Sequence, residues 1–165
     1  MELSVVLGDI TEQRVDAVVN AANRRMRGGR GVDGALHRVA GPGLLEECVR
    51  RFPKGLPTGA AGWTGGHDLP ARWVIHVVGP NRTRGETDRG LLVSCYVNAL
   101  AVADELGAAS IAFPVVSAGA YGWPRSDAVT AAVDTLAGTP TEARSAVIVA
   151  FGQEMYDEVA AALAR

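Results

Sequence analysis

The sequence of 165 residues predicts an α/β fold, in which helices cover both faces of a sheet. Three observations predict it. Apolar, β-branched segments alternate with segments of helical periodicity along the chain. The run Trp73–Gly79 is almost continuously apolar, which is typical of a strand covered on both faces. Near the end of the chain, Met155, Val159 and Leu163 form one apolar stripe of a helix.

Each element follows from its local pattern. Short apolar runs predict strands at residues 3–7, 17–20, 73–79, 110–115 and 145–151. Apolar residues spaced by three and four predict helices at residues 32–40, 44–51, 91–106, 126–136 and 154–165. Gly41-Pro42-Gly43 separates the first two helices, Gly107 stands at an expected C-cap, and Pro124 precedes the fourth helix. We find no linker or internal repeat, and we expect a single domain over residues 1–165.

Composition excludes several classes of protein. Hydrophobic residues make up 48% and charged residues 21%, as in ordinary globular proteins, and the net charge of −2 gives no global field for nucleic acid or acidic lipid. No apolar run approaches the about 20 residues that span a bilayer. Met1 is followed by Glu2 and not by the basic start of a leader, so we expect neither a membrane protein nor a secreted one. Cys48 and Cys95 lie far apart, which favours a reducing, cytoplasmic location.

Glycine and lysine are used unusually. The chain has 20 glycines, and Lys54 is its only lysine. No Gly-Lys-Ser/Thr is present, which excludes a P-loop. No zinc-ligand spacing exists among the histidines and cysteines, and we expect neither a metal nor a cofactor. Ligands of α/β sheets bind beyond the carboxyl ends of the strands, so the loops that follow strands are the places to search.

The loop after the second predicted strand is rich in Asn and Gly. It contains Asn20 and Asn23 and continues into residues 28–34, Gly-Gly-Arg-Gly-Val-Asp-Gly, where a helix starts. Residues 29–34 match G-x-G-x-x-G, but the preceding loop is long and Lys54 stands where a dinucleotide site has an acid, so we reject an NAD site. Backbone N–H groups at the helix start can still bind phosphate. We expect Asn20 to hold its own turn and Asn23 to bind sugar hydroxyls.

Several side chains near these loops have two interpretations. Asp33 is either a carboxylate stabilised by the helix dipole or a general base beside a pyrophosphate. His37 shares its helix face, and its spacing alone favours a core role. Asp9 either accepts from an amine or caps a turn through Thr11, and Phe151 either stacks on a base or packs in the core.

A second loop, Ser117-Ala-Gly-Ala-Tyr-Gly122, follows the fourth predicted strand. Its small residues permit close approach of a diphosphate to the backbone. Tyr121 and Trp123 either wall a pocket or belong to the core.

A third feature is basic, since Arg24, Arg25, Arg27 and Arg30 fall within seven residues. They form either a solvated loop or a local field that steers an anionic nucleotide.

Together, these loops resemble the macrodomain family, specifically the MacroD-type ADP-ribosyl hydrolases. The matching stretches follow one another along almost the entire chain and are Gly8–Thr11, Val15–Asn23, Gly31–His37, Thr64–Pro70, Val74–Pro80, Ser110–Pro114 and Ser117–Gly122. Their combination is far more specific than any single motif. The resemblance implies a three-layer α/β/α fold with a central mixed sheet and ADP-ribose in its crevice.

The resemblance also implies roles for individual residues. Asp33 and Asn23 are implied as catalytic residues, together with His37 of the same motif. The implied ligand-binding residues are Asp9, Ile10, Asn20, Gly31, Val32, Gly34, Ser117, Ala118, Gly119, Ala120, Tyr121, Gly122 and Phe151. One departure is Arg30, which stands where similar proteins have one of four consecutive glycines.

The implied reaction is hydrolysis of ADP-ribosyl esters. The substrates would be mono-ADP-ribose on acidic side chains of modified proteins and, as a second ester, O-acetyl-ADP-ribose. The sequence shows no Ser–His–Asp triad and no catalytic Cys, which favours attack by a water that Asp33 orients. The alternatives are a module that binds ADP-ribose without turnover and a hydrolase of ADP-ribosylated nucleic acid. We expect a monomer whose partners are ADP-ribose and ADP-ribosylated proteins, with nucleic acid only as a modified substrate and with no membrane.

Overall fold

A computed structural model describes all 165 residues and arranges them around one six-stranded sheet. The strands are β1 Glu2–Leu7, β2 Ala17–Ala22, β3 Ala61–Gly65, β4 Trp73–Val78, β5 Ser110–Phe113 and β6 Ser145–Ala150. The helices are α1 Gly31–Ala40, α2 Pro42–Arg51, α3 Arg89–Leu106, α4 Arg125–Gly138 and α5 Gln153–Leu163. Two short 3-10 helices occupy Ile10–Glu12 and Arg82–Arg84.

The sheet is mixed, as the resemblance implies. Its strand order is β1-β6-β5-β2-β4-β3, and only β3 runs antiparallel to its neighbour. The sequence pattern did not predict β3, because its five residues include two glycines and have no clean alternation of apolar and polar residues. Strand β5 ends at Phe113 and not at the predicted residue 115, since Pro114 has no N–H to donate to the ladder.

Each face of the sheet has its own core. Helices α3, α4 and α5 cover one face with a cluster of 26 buried residues, and α1 and α2 cover the other with a cluster of 14. Successive side chains of β2 point to opposite faces and so contribute to both cores. Val19 belongs to the larger cluster and Val18 to the smaller. The predicted three-layer α/β/α architecture is therefore confirmed.

The sheet has its switch point between β2 and β5, and we call the space between the loops that follow these two strands the crevice. These neighbours pair at only two positions, Ala17 with Ile111 and Val18 with Ala112, whereas β2 pairs with β4 along its whole length. Beyond β2 the chain continues to α1 on one face, and beyond β5 it continues to α4 on the other. Such a switch point, at the carboxyl ends of parallel strands, is where open α/β sheets bind their ligands.

Both cysteine thiols are free and buried. Burial raises the pKa of Cys48 to about 11 and that of Cys95 to about 12, so neither thiol ionises near neutral pH. None of the helices combines the length and the apolar character that a membrane crossing requires.

Candidate functional site

The glycine loop leads directly into α1. Gly31, the first residue of the helix, has φ +59°, in the left-handed region that favours glycine. Arg30 before it has φ −105° and ψ 178°, extended backbone that any residue adopts, and its side chain is exposed. Arginine in place of a glycine therefore places no strain on this loop.

Asp33 lies in the first turn of α1, and only 4% of it is exposed. Its Oδ1 accepts a hydrogen bond from Asn20 Nδ2 at 2.9 Å and lies 3.4 Å from His37 Nε2. Its Oδ2 has no hydrogen-bond partner within the protein. Burial raises the pKa of Asp33, although the Asn20 bond and the charge of His37 oppose the rise. The arrangement fixes one oxygen and leaves the other free to hold a water.

Asn23 holds the shape of the glycine loop. Its Nδ2 donates to the carbonyl of Gly28 at 3.0 Å, and its Oδ1 accepts from the N–H groups of Arg25 and Met26 at 3.1 and 3.3 Å. The side chain thus holds its own turn, the role that the sequence suggested for Asn20.

Gly29 lies next to the side chains of both Asp33 and Asn23. A Cβ at this position would stand 3.2 Å from Asp33 Oδ2 and 3.3 Å from Asn23 Nδ2, so the two polar atoms flank one glycine. Gly34 fixes the distance between loop and helix, because a Cβ there would stand 2.5 Å from the carbonyl oxygen of Gly29. The loop can take this position only because Gly34 lacks a side chain, whereas a Cβ at Gly29 would be accommodated by small shifts of the two polar side chains.

His37 contacts the glycine loop and is not a core residue. Its side chain is 16% exposed, and a Cβ added at Gly28 would stand 3.6 Å from its ring. Asn20, in contrast, has no exposed surface. Its amide donates to Asp33 and lies 3.0 Å from His76 Nδ1, so it does not hold its own turn as the sequence suggested. A direct contact of Asn20 with a ligand would need its Oδ1, which is buried without a partner.

The loop Ser117–Gly122 is anchored at its ends. Ser117, with φ +66°, donates from Oγ to the carbonyl of Pro80 at 2.9 Å. The carbonyl of Tyr121 accepts from the N–H of Arg82 at 2.9 Å. Between these anchors, the backbone N–H groups of residues 118–121 donate to no acceptor in the protein. Four adjacent unpaired donors form a site for an anion.

Tyr121 and Trp123 prove to have different environments. Trp123 is 4% exposed and belongs to the larger core, and its Nε1 donates to Asp127 Oδ2 at 2.9 Å. Tyr121 is half-buried, and burial together with the carboxylates of Asp33 and Glu86 raises the pKa of its hydroxyl.

At the far end of the crevice, Asp9 caps a turn. Its Oδ1 accepts from the N–H and the hydroxyl of Thr11 at 2.8 and 2.7 Å, which leaves Oδ2 free for a ligand. Ile10 is buried beside it. Phe151, at the end of β6, is 93% exposed, which excludes core packing and leaves its ring accessible for stacking.

Of the four arginines in the basic segment 24–30, only three are exposed to solvent. The guanidinium of Arg27 donates to the carbonyls of Arg25, Met26 and Phe52 at 3.0, 3.1 and 3.0 Å and to that of Pro53 at 3.4 Å. Arg27 therefore ties the glycine loop to the end of α2. The other three, Arg24, Arg25 and Arg30, are exposed beside the glycine loop, at what we call the mouth of the crevice.

The segment around His67 belongs to the matching stretch Thr64–Pro70, and its residues alone predicted no role for it. In the structure, Glu47 of α2 accepts from His67 Nε2 at 2.8 Å, from the N–H of Gly65 at 3.0 Å and from Arg51 Nε at 2.5 Å. Burial raises the pKa of Glu47, but these hydrogen bonds outweigh it and the pKa is lowered. The cluster fastens the edge strand β3 to α2.

Two further residues were missed, Thr64 and His76. Both are buried behind Asn20, where His76 Nε2 lies 2.9 Å from Thr64 Oγ1. A signal for His76 was present in the sequence, since it is the one ionisable residue within the apolar run 73–79. Strand register, which the sequence does not show, is what places it next to Asn20.

Comparison with known proteins agrees with this geometry. Residues 19–132 match the family model described as Macro domain. A Macro domain-containing protein of Streptomyces coelicolor is 50% identical, with 98% of each chain covered. An O-acetyl-ADP-ribose deacetylase of Escherichia fergusonii is 51% identical over 81% of this chain and 77% of that protein.

Solved structures give the same result. The Oceanobacillus iheyensis macrodomain with ADP has a TM-score of 0.90 and 36% identity, with 98% of this chain and 90% of that chain covered. A Trypanosoma brucei macrodomain in complex with ADP-ribose has a TM-score of 0.87 and 39% identity, with 96% of this chain and 67% of that chain covered.

Proposed function

The chain belongs to the macro domain family, and from that premise we propose that it binds ADP-ribose and hydrolyses ADP-ribosyl esters. Its substrates are mono-ADP-ribose on acidic side chains of modified proteins and O-acetyl-ADP-ribose. Relatives named O-acetyl-ADP-ribose deacetylase support the hydrolysis, and neighbours solved with ADP and ADP-ribose support the ligand. The two buried thiols fit the reducing cytoplasm as the place of action.

The arrangement of the Asp33 carboxylate is the observation that supports catalysis most directly. A carboxylate that serves only a helix N-terminus needs no burial, whereas this one is buried, held at one oxygen and free at the other. The raised pKa makes it a stronger base than an exposed aspartate. Asp33 orients and deprotonates a water, which attacks the ester to give ADP-ribose and the free carboxylic acid. His37 helps to position the carboxylate, and Asn23 holds the glycine loop beside it.

The rest of the crevice accommodates ADP-ribose in one direction. The adenine lies between Asp9, Ile10 and the ring of Phe151. The diphosphate accepts hydrogen bonds from the unpaired N–H groups of residues 118–121 on one side. On the other side it accepts from those of residues 31–33 at the start of α1. The distal ribose then lies against Asn23 and Tyr121, beside Asp33, whereas Gly34 is buried beneath the carbonyl of Gly29 and supports the loop. Binding by backbone donors explains how a chain with a single lysine holds a diphosphate.

The test is Asp33→Asn, which keeps the size of the side chain and removes the base. We expect release of ADP-ribose from a Glu-modified protein, and from O-acetyl-ADP-ribose, to fall by about 10²- to 10⁴-fold. Binding of ADP-ribose, measured by calorimetry, should remain within a few-fold of wild type. The matched control is Asp134→Asn on the exposed face of α4, which should change neither quantity.

Three outcomes would contradict parts of the proposal. Hydrolysis by Asp33→Asn at the wild-type rate would remove the catalytic role of Asp33. Binding of ADP-ribose by the wild type without any turnover would identify a binding module. Turnover of ADP-ribosylated DNA or RNA in place of the two esters would identify a nucleic-acid hydrolase.

A further inference from the structure

A row of polar side chains crosses the sheet beneath α1. Asn20 of β2 and His76 of β4 are register partners, and Thr64 of β3 lies on the same face, two residues from the partner of His76. Their exposed fractions are 0%, 1% and 0%, and the surroundings belong to the smaller apolar core. The ring of Phe52 packs edge-on at 6.2 Å from that of His76. Polar groups buried at this depth are costly unless they are hydrogen-bonded.

The hydrogen bonds allow one arrangement of the row. One N–H of the Asn20 amide donates to Asp33 Oδ1 at 2.9 Å. The other N–H can only donate, so His76 Nδ1 accepts from it at 3.0 Å and carries a lone pair. The proton of the neutral ring is then on Nε2, which donates to Thr64 Oγ1 at 2.9 Å, and the Thr64 hydroxyl donates to the carbonyl of Gly65 at 3.1 Å. The direction of each bond thus follows from the one before it.

The orientation of the Asn20 amide is the variable that this row fixes. If the amide turned over, its Oδ1 would face both the lone pair of His76 Nδ1 and the carboxylate of Asp33, and both contacts would be repulsive. Asn20 Oδ1 has no partner in the observed orientation, so the acceptors on His76 and Asp33 are the two groups that hold the amide that way. The acceptor on His76 binds one N–H of the amide and so directs the other toward Asp33.

We propose that His76 is a positioning residue for the catalytic carboxylate: anchored by Thr64, it orients the Asn20 amide, which in turn fixes Asp33 Oδ1 and leaves Oδ2 to the water. The inference rests on the proposed role of Asp33 in hydrolysis. His76 touches neither the crevice nor any reacting atom, and it acts through Asn20 alone. This assigns a function to a histidine in the middle of a buried strand, outside the loops that are proposed to bind the ligand.

The charged and titratable neighbours are few. His37 and Glu47 face His76, and burial together with His37 lowers the pKa of His76 to about 3, so that the ring stays neutral. His37, Tyr121 and Cys48 lie around Asp33. Because burial already raises the pKa of Asp33, losing the Asn20 bond raises it further and protonates the base at a higher pH.

Two variants, each of which keeps a polar atom at the position of one ring nitrogen, separate the halves of the row. In His76→Asn the side-chain oxygen replaces Nδ1, so the acceptor for Asn20 is kept and the Thr64 contact is lost. In His76→Gln the amide reaches Thr64 and no acceptor faces Asn20. We expect His76→Asn to retain most of the wild-type kcat. His76→Gln should lose at least about tenfold in kcat at unchanged KM, with the acid limb of its pH profile moved to higher pH. Equal activities and equal acid limbs for the two variants would overturn the proposal.

A double-mutant cycle tests the route through Asn20. In an Asn20→Ala background the two His76 variants should have the same kcat and the same acid limb, because the amide that they orient is gone. A difference that persists in this background would show that His76 acts by another path, and would overturn the proposal.

Measurements that need no turnover keep the inference separate from the proposed function. Nitrogen NMR of the wild-type protein should show His76 as the Nε2–H tautomer, neutral at pH 6; the Nδ1–H tautomer or a protonated ring would overturn the proposal. Titration of the Asp33 carboxyl by carbon NMR should give a higher pKa in His76→Gln than in wild type or His76→Asn. If the wild type hydrolyses no ester while these shifts are found, the proposed function fails and the positioning of Asp33 stands.

Discussion

His76 links the stability of the fold to pH. In the unfolded chain its pKa is near 6.5, and in the folded protein burial lowers it to about 3. Between these values the unfolded state binds a proton that the folded state does not, so stability falls as the pH drops below 6.5. We expect the free energy of unfolding in urea to fall by about 2 kcal/mol from pH 7 to pH 5.

The same titration in His76→Asn is the control, because asparagine has no proton to gain over this range. Its stability should change much less between pH 7 and pH 5. A decline as steep as that of the wild type would assign the pH dependence to other groups. Glu47, whose pKa is lowered by its hydrogen bonds, contributes stability that is lost only below its unfolded pKa of 4.5, outside this window.

The sequence predicts the spatial neighbours of some site residues and not of others. Asp33, Asn23 and His37 could be brought together because they share one loop and helix, and the structure places all three around Gly28 and Gly29. Their catalytic roles stay predictions. His76 could not be connected to Asp33, because that connection passes through a register between β2 and β4 that depends on tertiary pairing.

At the scale of elements, Arg27 is the side chain that ties the glycine loop to the end of α2. Arg27 donates to four carbonyls, two of them at the end of α2, while Arg25, two residues away, has no side-chain hydrogen bond. We expect Arg27→Met to lower the free energy of unfolding by about 1–3 kcal/mol and to speed amide hydrogen exchange in residues 23–30. Because Asn23 and Gly29 lie in this loop, KM for the ester should rise as well.

Arg25→Met removes the same charge and serves as the matched control. Its stability should stay within about 0.5 kcal/mol of wild type, with unchanged exchange in the loop. If both variants lose stability equally, then the positive charge and not the hydrogen bonding of Arg27 holds the loop.

Elements with a strong period could be predicted from the sequence, and the structure confirms all five helices and five of the six strands. The missing strand, β3, is short, contains two glycines and lies at the edge of the sheet. It is stabilised by partners that are distant in the chain, including the ladder with β4 and the bond from Gly65 to Glu47. Local pattern contains little of that information, so single-sequence analysis cannot find it.

For the whole molecule, net charge is a poor guide to the field at the crevice. The chain carries a formal charge of −2, yet Arg24, Arg25 and Arg30 stand exposed at the mouth. We expect Arg30→Gln to weaken ADP-ribose binding by about two- to fivefold in low salt, as measured by calorimetry. The difference should vanish near about 0.5 M salt, where the Debye length is only a few ångströms.

Arg144→Gln makes the same change of net charge at the amino end of β6, opposite the crevice. It should bind ADP-ribose as the wild type does at every salt concentration. Equal weakening by the two variants would mean that total charge, and not the basic mouth, governs binding.

The proposed diphosphate site uses the four unpaired N–H groups of residues 118–121, and recognition of this kind is insensitive to most point mutations. A side chain that binds a phosphate is lost when its codon changes, but a peptide N–H is present whichever residue is encoded. Only proline removes it. The sequence of this loop is therefore free to drift wherever the backbone path is kept, and its inheritance depends on conformation more than on the identity of its residues.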